Sequence, residues 1–197
     1  MVNLAINGIG RIGKLVLKLL ISKNFNVKYL NELNGNTNSL IHSIEFDSIH
    51  GKWQANIEDG KDEIKIDGKS IKATFVENIN DLSLDNVDIM IDCTGVHKSS
   101  SKLQKYFDKG VKKVIVSAPI NEDNIVNIAY GVNHNIYKPK EHNIITGASC
   151  TTNCIAPIIK VLHENIGINH GSITTIHNLT NSQTLVDIPH NDLRRGR

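Results

Sequence analysis

The segment Gly147-Ala148-Ser149-Cys150-Thr151-Thr152-Asn153-Cys154 offers a nucleophile where the backbone can activate it. His142 to Thr146, just before it, reads as a buried strand. The run Ile155-Ala156-Pro157-Ile158-Ile159-Lys160-Val161-Leu162 reads as the apolar face of a helix, with Ser149 as N-cap. A thiol in the first turn of such a helix meets unpaired backbone N–H groups and the positive end of the helix dipole, and both favour thiolate over thiol. The same N–H groups can hold an oxyanion once the sulfur has added to a carbonyl. This pattern suits covalent carbonyl chemistry. The residues alone leave a second reading open, because cysteine also serves as a small buried hydrophobe. That second reading fits Cys93 in Ile89-Met90-Ile91-Asp92-Cys93. A CxxxC pair brings too few ligands for a structural zinc, and no metal site is expected.

An acid–base partner is offered by His177, at the end of Thr174-Thr175-Ile176-His177. Ser172 to His177 reads as a strand. A helix leaving Cys150 and a strand returning would bring that strand's end towards the helix start. An imidazole there would stabilise the thiolate and shuttle a proton. As one of nine histidines, it also fits an ordinary surface role. Thr151 and Thr180 supply hydroxyls and Arg195 a guanidinium suited to phosphate oxygens; cap, loop and solvated charge are their plainer readings.

At the other end of the chain, Gly8-Ile9-Gly10-Arg11-Ile12-Gly13 is a GxGxxG pattern between an apolar strand and an amphipathic helix. Gly8 permits a tight turn, Gly10 lets backbone approach a pyrophosphate, and Gly13 lets helix and strand pack closely. The pyrophosphate would sit on the N–H groups of the helix start. Glu32 ends the second strand, about twenty residues further on, where a carboxylate accepts from both ribose hydroxyls and repels a 2′-phosphate. Leu33-Asn34-Gly35-Asn36 brings no basic residue, so NAD is expected rather than NADP.

The elements that must position these groups alternate short apolar runs with amphipathic ones, the mark of a parallel sheet covered by helices. Strands are expected at Asn3–Asn7, Val27–Asn31, Val87–Asp92, Val114–Val116, Ala129–Val132 and Ile144–Ile145. Helices are expected at Arg11–Lys23, Asn38–Glu45 and Ser99–Lys109, the last closed by Gly110. Ile64-Lys65-Ile66, Asp67-Gly68 and Ser70 to Thr74 read as an inserted hairpin.

Composition limits the alternatives. The 197 residues carry 40% apolar and 5% aromatic side chains, enough for an aliphatic α/β core. Net charge is +2 with both signs interspersed, so neither nucleic acid nor an anionic membrane is expected as partner. The opening Met1-Val2-Asn3-Leu4-Ala5-Ile6 is too short for a signal peptide, and no run reaches membrane-spanning length. Three cysteines argue for a reducing compartment, and the expected setting is the cytoplasm.

Taken together, Ile6–Gly13, Phe46–Gly51, Asp92–Gly95, Val116–Pro119, Ala148–Cys154, Thr174–His177 and His190–Arg195 resemble the N-terminal part of glyceraldehyde-3-phosphate dehydrogenases. The resemblance implies an α/β Rossmann-type domain at residues 1–149 with a mostly parallel sheet, then the start of an α+β catalytic domain at 150–197. It implies that Cys150 attacks glyceraldehyde 3-phosphate, that His177 is the base, and that inorganic phosphate releases 1,3-bisphosphoglycerate. By the same likeness Gly8, Gly10, Arg11, Ile12, Gly13, Glu32, Thr94 and Ser117 bind NAD, Ser117 near the nicotinamide ribose. Ser149, Thr151, Thr180 and Arg195 line the phosphate sites, and the assembly is a homotetramer. Erythrose-4-phosphate dehydrogenases, arsenate-using variants and a non-catalytic nucleotide-binding fragment are the alternatives. Glu32 stands where the family usually has Asp. The sequence stops short of the family's length, and from that a poorly active chain of doubtful assembly is expected.

Overall fold

The computed structural model describes residues 1–180. They fall into two compact units, Met1–Val161 and one beginning at Leu162. Along the chain come β1 (Asn3–Asn7), α1 (Arg11–Ser22), β2 (Asn26–Asn31), α2 (Thr37–Glu45), β3 (Phe46–Asp47), β4 (Gly51–Lys52), β5 (Ile57–Asp59), β6 (Glu63–Ile66) and β7 (Lys69–Thr74). Then follow β8 (Ile89–Asp92), α3 (Ser100–Phe107), β9 (Lys113–Val116), β10 (Val126–Asn127), β11 (Ile144–Thr146) and α4 (Cys150–Asn165).

The main sheet runs β10-β11-β9-β8-β1-β2-β7-β6-β5. It is parallel from β10 through β7 and antiparallel at the β6 and β5 edge. This is a Rossmann-type α/β sheet. Successive side chains of a strand point to opposite faces, so Ala5 and Met90 join one apolar core while Ile6 and Ile91 join the other. Helix α1 turns Gly13, Leu17 and Ile21 inward at four-residue spacing. Helix α2 starts with a reciprocal capping box between Asn36 and Ser39. Helix α3 is capped by Ser99 and buries Leu103 and Tyr106. The hairpin forms as the sequence suggests, with Asp67 and Gly68 both at positive φ between β6 and β7.

Two expected strands do not form. At Ala129–Val132 the chain turns instead: Gly131 takes φ +85°, Val132 N–H donates to Ala129 O, and the Asn133 side chain caps Ala129 N–H. The strand beside β11 lies earlier, at Val126–Asn127. Ser172–His177 has no regular structure. Its β-branched residues favour a strand only when a neighbour completes the ladder, and none does among the described residues. Helix α4 carries the expected apolar side chains, yet none of its residues is buried.

Candidate active site

The described candidate residues of the first unit gather where parallel strands end. Gly8 follows β1, Glu32 follows β2, Thr94 follows β8, Ser117 follows β9, and Ser149 and Cys150 follow β11. Sheets of this kind bind ligands at the carboxyl edge where strand order reverses. Here the chain leaves β1 towards β2 and later returns to the other side of β1 as β8. The glycine loop and the Thr94 turn meet at that point. A β-carbon on Gly8 would lie 2.8 Å from Thr94 N, and one on Gly13 would lie 1.9 Å from Gly8 O. Gly10 differs: a β-carbon there would project into open space. Gly10 also begins α1 with no side-chain hydrogen bond capping it, and an α-helix leaves its first N–H groups, here those of Arg11 and Ile12 included, without intrahelical acceptors. That arrangement fits a pyrophosphate held by backbone.

Glu32 accepts Ile9 N–H through Oε2 (2.7 Å) and Leu33 N–H through Oε1 (2.9 Å). Each carboxylate oxygen keeps a further lone pair for ribose hydroxyls. Against the first turns of α1, buried Asp47 is held by Lys14 Nζ at 2.6 Å, by Ile49 and His50 N–H at 2.9 Å each, and by Arg11 at 3.9 Å. The Lys14 ammonium and those backbone N–H groups hold its carboxyl far below the usual carboxylate range.

Thr94 donates its N–H (3.0 Å) and hydroxyl (2.7 Å) to Asp92 Oδ1. Ser117 N–H donates to Asp92 O (2.9 Å), and its side chain meets the Cys93 thiol. Burial pushes that thiol up to about 11, reinforced by the Asp92 charge and opposed by Ser117. Cys93 is therefore the inert cysteine.

The exposed Cys150 opens α4 on a braced turn. Gly147 N–H donates to Val116 O, Thr146 Oγ1 accepts Ala148 N–H, and Ala148 takes φ +56°. Ser149 caps the helix by accepting Thr152 N–H at 3.0 Å, as its sequence position suggests. Asn153 Nδ2 ties Gly147 O (2.6 Å) to Ser149 O (2.9 Å). Thr151, in the same first turn, is half-buried. His177 and Thr180 belong to the second unit, where both are exposed and His177 Nδ1 lies 2.6 Å from Asn178 O. Arg195 lies outside the described residues.

Sequence reasoning missed the supports: Asp92, Thr146, Asn153 and the Lys14–Asp47 pair. A polar residue closing an apolar strand with Thr two residues on, as in Ile91-Asp92-Cys93-Thr94, is the available signal.

Residues 2–100 match the family model for the glyceraldehyde 3-phosphate dehydrogenase NAD binding domain, and residues 149–197 match the model for its C-terminal domain. Over its full length the chain is 43% identical to glyceraldehyde-3-phosphate dehydrogenase 3 of Nostoc sp., covering 59% of that protein. It is 41% identical to the Thermotoga maritima glyceraldehyde-3-phosphate dehydrogenase and covers 60% of it. Against the Geobacillus stearothermophilus protein of the same name it is 40% identical over 59%. The chain thus spans about three-fifths of the length of these relatives. With the glycine loop, the Thr94 turn and the Cys150 turn set along one sheet edge, the chain belongs to the glyceraldehyde-3-phosphate dehydrogenase family.

Proposed function

We propose that this chain supplies the NAD-binding and nucleophile-bearing part of a phosphorylating glyceraldehyde-3-phosphate dehydrogenase. In this reading residues 1–149 are the nucleotide domain and residues 150–197 begin the catalytic domain. The observation that carries it is the shared edge: the uncapped start of α1, with open space at Gly10, and the exposed Cys150 at the start of α4 both follow parallel strands of one sheet. When bound, NAD supplies the hydride acceptor. Gly8, Gly10, Arg11, Ile12 and Gly13 would hold its pyrophosphate, Glu32 its adenosine ribose, and Thr94 and Ser117 its nicotinamide half.

The Cys150 thiolate adds to the substrate aldehyde carbon, the carbonyl π pair moves to oxygen, and that oxygen takes a proton from His177 to give a thiohemiacetal hydroxyl. His177 takes the hydroxyl proton as the carbon is oxidised to a thioester. Inorganic phosphate then attacks the thioester and the sulfur leaves as thiolate, giving 1,3-bisphosphoglycerate. Ser149, Thr151, Thr180 and Arg195 would bind the phosphate groups. The Glu32 carboxylate supports NAD over NADP, because it repels a 2′-phosphate. Family membership supports a homotetramer. No helix of the described residues is long and apolar enough to cross a membrane, and a cytoplasmic setting is proposed.

The test follows NADH formation at 340 nm from glyceraldehyde 3-phosphate and NAD, with phosphate, arsenate or neither. It is run on this chain and on the same chain continued by the C-terminal sequence of the Nostoc relative. Turnover by the continued chain that requires phosphate or arsenate and vanishes with Cys150→Ser is expected. A folded, NAD-binding continued chain without cysteine-dependent turnover sinks the reading. Turnover indifferent to both oxyanions would point to hydrolysis of the thioester instead.

A further inference from the structure

A line of buried side chains crosses the sheet edge under the nucleotide loops. Asp92, 0% exposed, accepts the Tyr106 hydroxyl through Oδ2 (2.8 Å) and Thr94 through Oδ1. Tyr106 accepts from Asn7 Nδ2 (2.6 Å), and Asn7 Oδ1 accepts from Asn31 Nδ2 (2.8 Å). One end of the line therefore lies beside Glu32, and the other is the Thr94 turn that packs on Gly8. At the solvent end sits His97, its side chain 14% exposed and its Nδ1 2.7 Å from Asp92 Oδ2.

The surroundings leave His97 as the group able to answer the Asp92 charge. Tyr106, which meets the His97 ring edge-on from α3, is held neutral by burial and by the Asp92 carboxylate. The Cys93 thiol beside Asp92 is likewise neutral. The Thr94 hydroxyl lies 3.3 Å from the imidazole. Lys102 of α3 is directed to Val96 O, and Glu122 accepts Ser100 N–H. Among the described residues, His97 is the cation-forming group within ion-pair distance of Asp92. A buried carboxylate without a partnered cation is costly, and a charged donor holds it more firmly than a neutral one.

We propose that His97 is a positioning residue for dinucleotide binding, which holds Asp92 through Nδ1 and, through it, the Thr94–Gly95 turn against the glycine loop. Its effect on affinity rests on the NAD-binding reading; its effect on the turn does not.

The test uses the 197-residue chain, His97→Ala and His97→Gln, with thermal unfolding confirming that all three fold. NADH affinity is measured by fluorescence. His97→Ala should weaken it about ten-fold, the order of a hydrogen bond to a charged acceptor. His97→Gln, whose amide keeps a donor at the site, should recover part of that loss. In a second arm without nucleotide, the Thr94 and Gly95 amide resonances should shift in His97→Ala and move back towards the wild-type positions in His97→Gln. Wild-type affinity in His97→Ala, or Thr94 and Gly95 amides that stay still in it, overturns the proposal. Moving amides in a chain that binds no NADH would instead remove the NAD reading, and the claim on affinity with it.

Discussion

Gly13 lies so close to Gly8 that a β-carbon on it would stand 1.9 Å from the Gly8 carbonyl oxygen. The obstacle is backbone, so Gly13→Ala must push α1 off β1, at a cost of about 1–3 kcal/mol and the loss of nucleotide binding. Gly10→Ala makes the opposite case. Its methyl meets nothing within 4 Å, and φ is −72°. Stability should fall by about 1 kcal/mol or less, chiefly through a poorer N-cap. NADH affinity should nevertheless drop by at least about ten-fold, because the methyl stands where backbone meets phosphate. Thermal unfolding and NADH titration separate the two, and unchanged affinity in Gly10→Ala would put the pyrophosphate elsewhere.

Glu32 holds the glycine loop through Ile9 N–H and is also the group proposed to choose the cofactor. Glu32→Gln keeps the length and an acceptor while removing the charge that repels a 2′-phosphate. The ratio of NADP to NAD affinity should rise by about ten-fold, on the order of a kcal/mol of lost discrimination. Competition titrations with the two dinucleotides read this ratio directly. An unmoved ratio would mean that selectivity lies in another group.

Asp47 makes the fold sensitive to acid. Its carboxyl is depressed first by Lys14 and then by the His50 and Ile49 N–H groups. Its folded value lies below the unfolded one, so its contribution is complete above about pH 3.9 and is lost as pH falls further. Asp47→Asn should therefore lower the unfolding midpoint at neutral pH, and the gap from wild type should close as pH drops below about 4. A gap that stays constant to about pH 2 would assign the loss to packing rather than charge.

How far the sequence speaks depends on whether a signal is local. The strand–glycine–helix unit and the Asp67-Gly68 hairpin were legible because turn chemistry and periodicity are contained in a few neighbouring residues. The Ser149 cap and the Cys150 helix start were legible for the same reason. The Ala129–Val132 run failed because its apolar residues look strand-like, while Gly131 and the Asn133 side chain fold it into a turn. Ser172–His177 failed because strand propensity needs a ladder partner, which no local pattern supplies. The Asp92–Tyr106 and Asn7–Asn31 bonds were beyond reach for a related reason: each joins residues of different elements, and only the assembled sheet brings them together. The catalytic role proposed for His177 rests on family likeness, since it lies in the second unit.

The three cysteines provide an internal scale for activation at the start of α4. Cys93, with its thiol pushed up to about 11, holds on the order of 0.1% thiolate at pH 8 and should resist alkylation in the folded chain. Cys150 and Cys154 are both exposed on one helix, so access differs little, and they stand one turn apart along it. If first-turn N–H groups and the dipole favour thiolate, iodoacetamide should modify Cys150 at least about three-fold faster than Cys154, the effect fading beyond the first turn. Added salt should narrow the difference, since the dipole is screened at the surface. Timed alkylation followed by peptide mass mapping gives all three rates in one experiment. Equal rates at Cys150 and Cys154 would remove the helix start as the source of activation, leaving only a charged partner such as an imidazole to supply it.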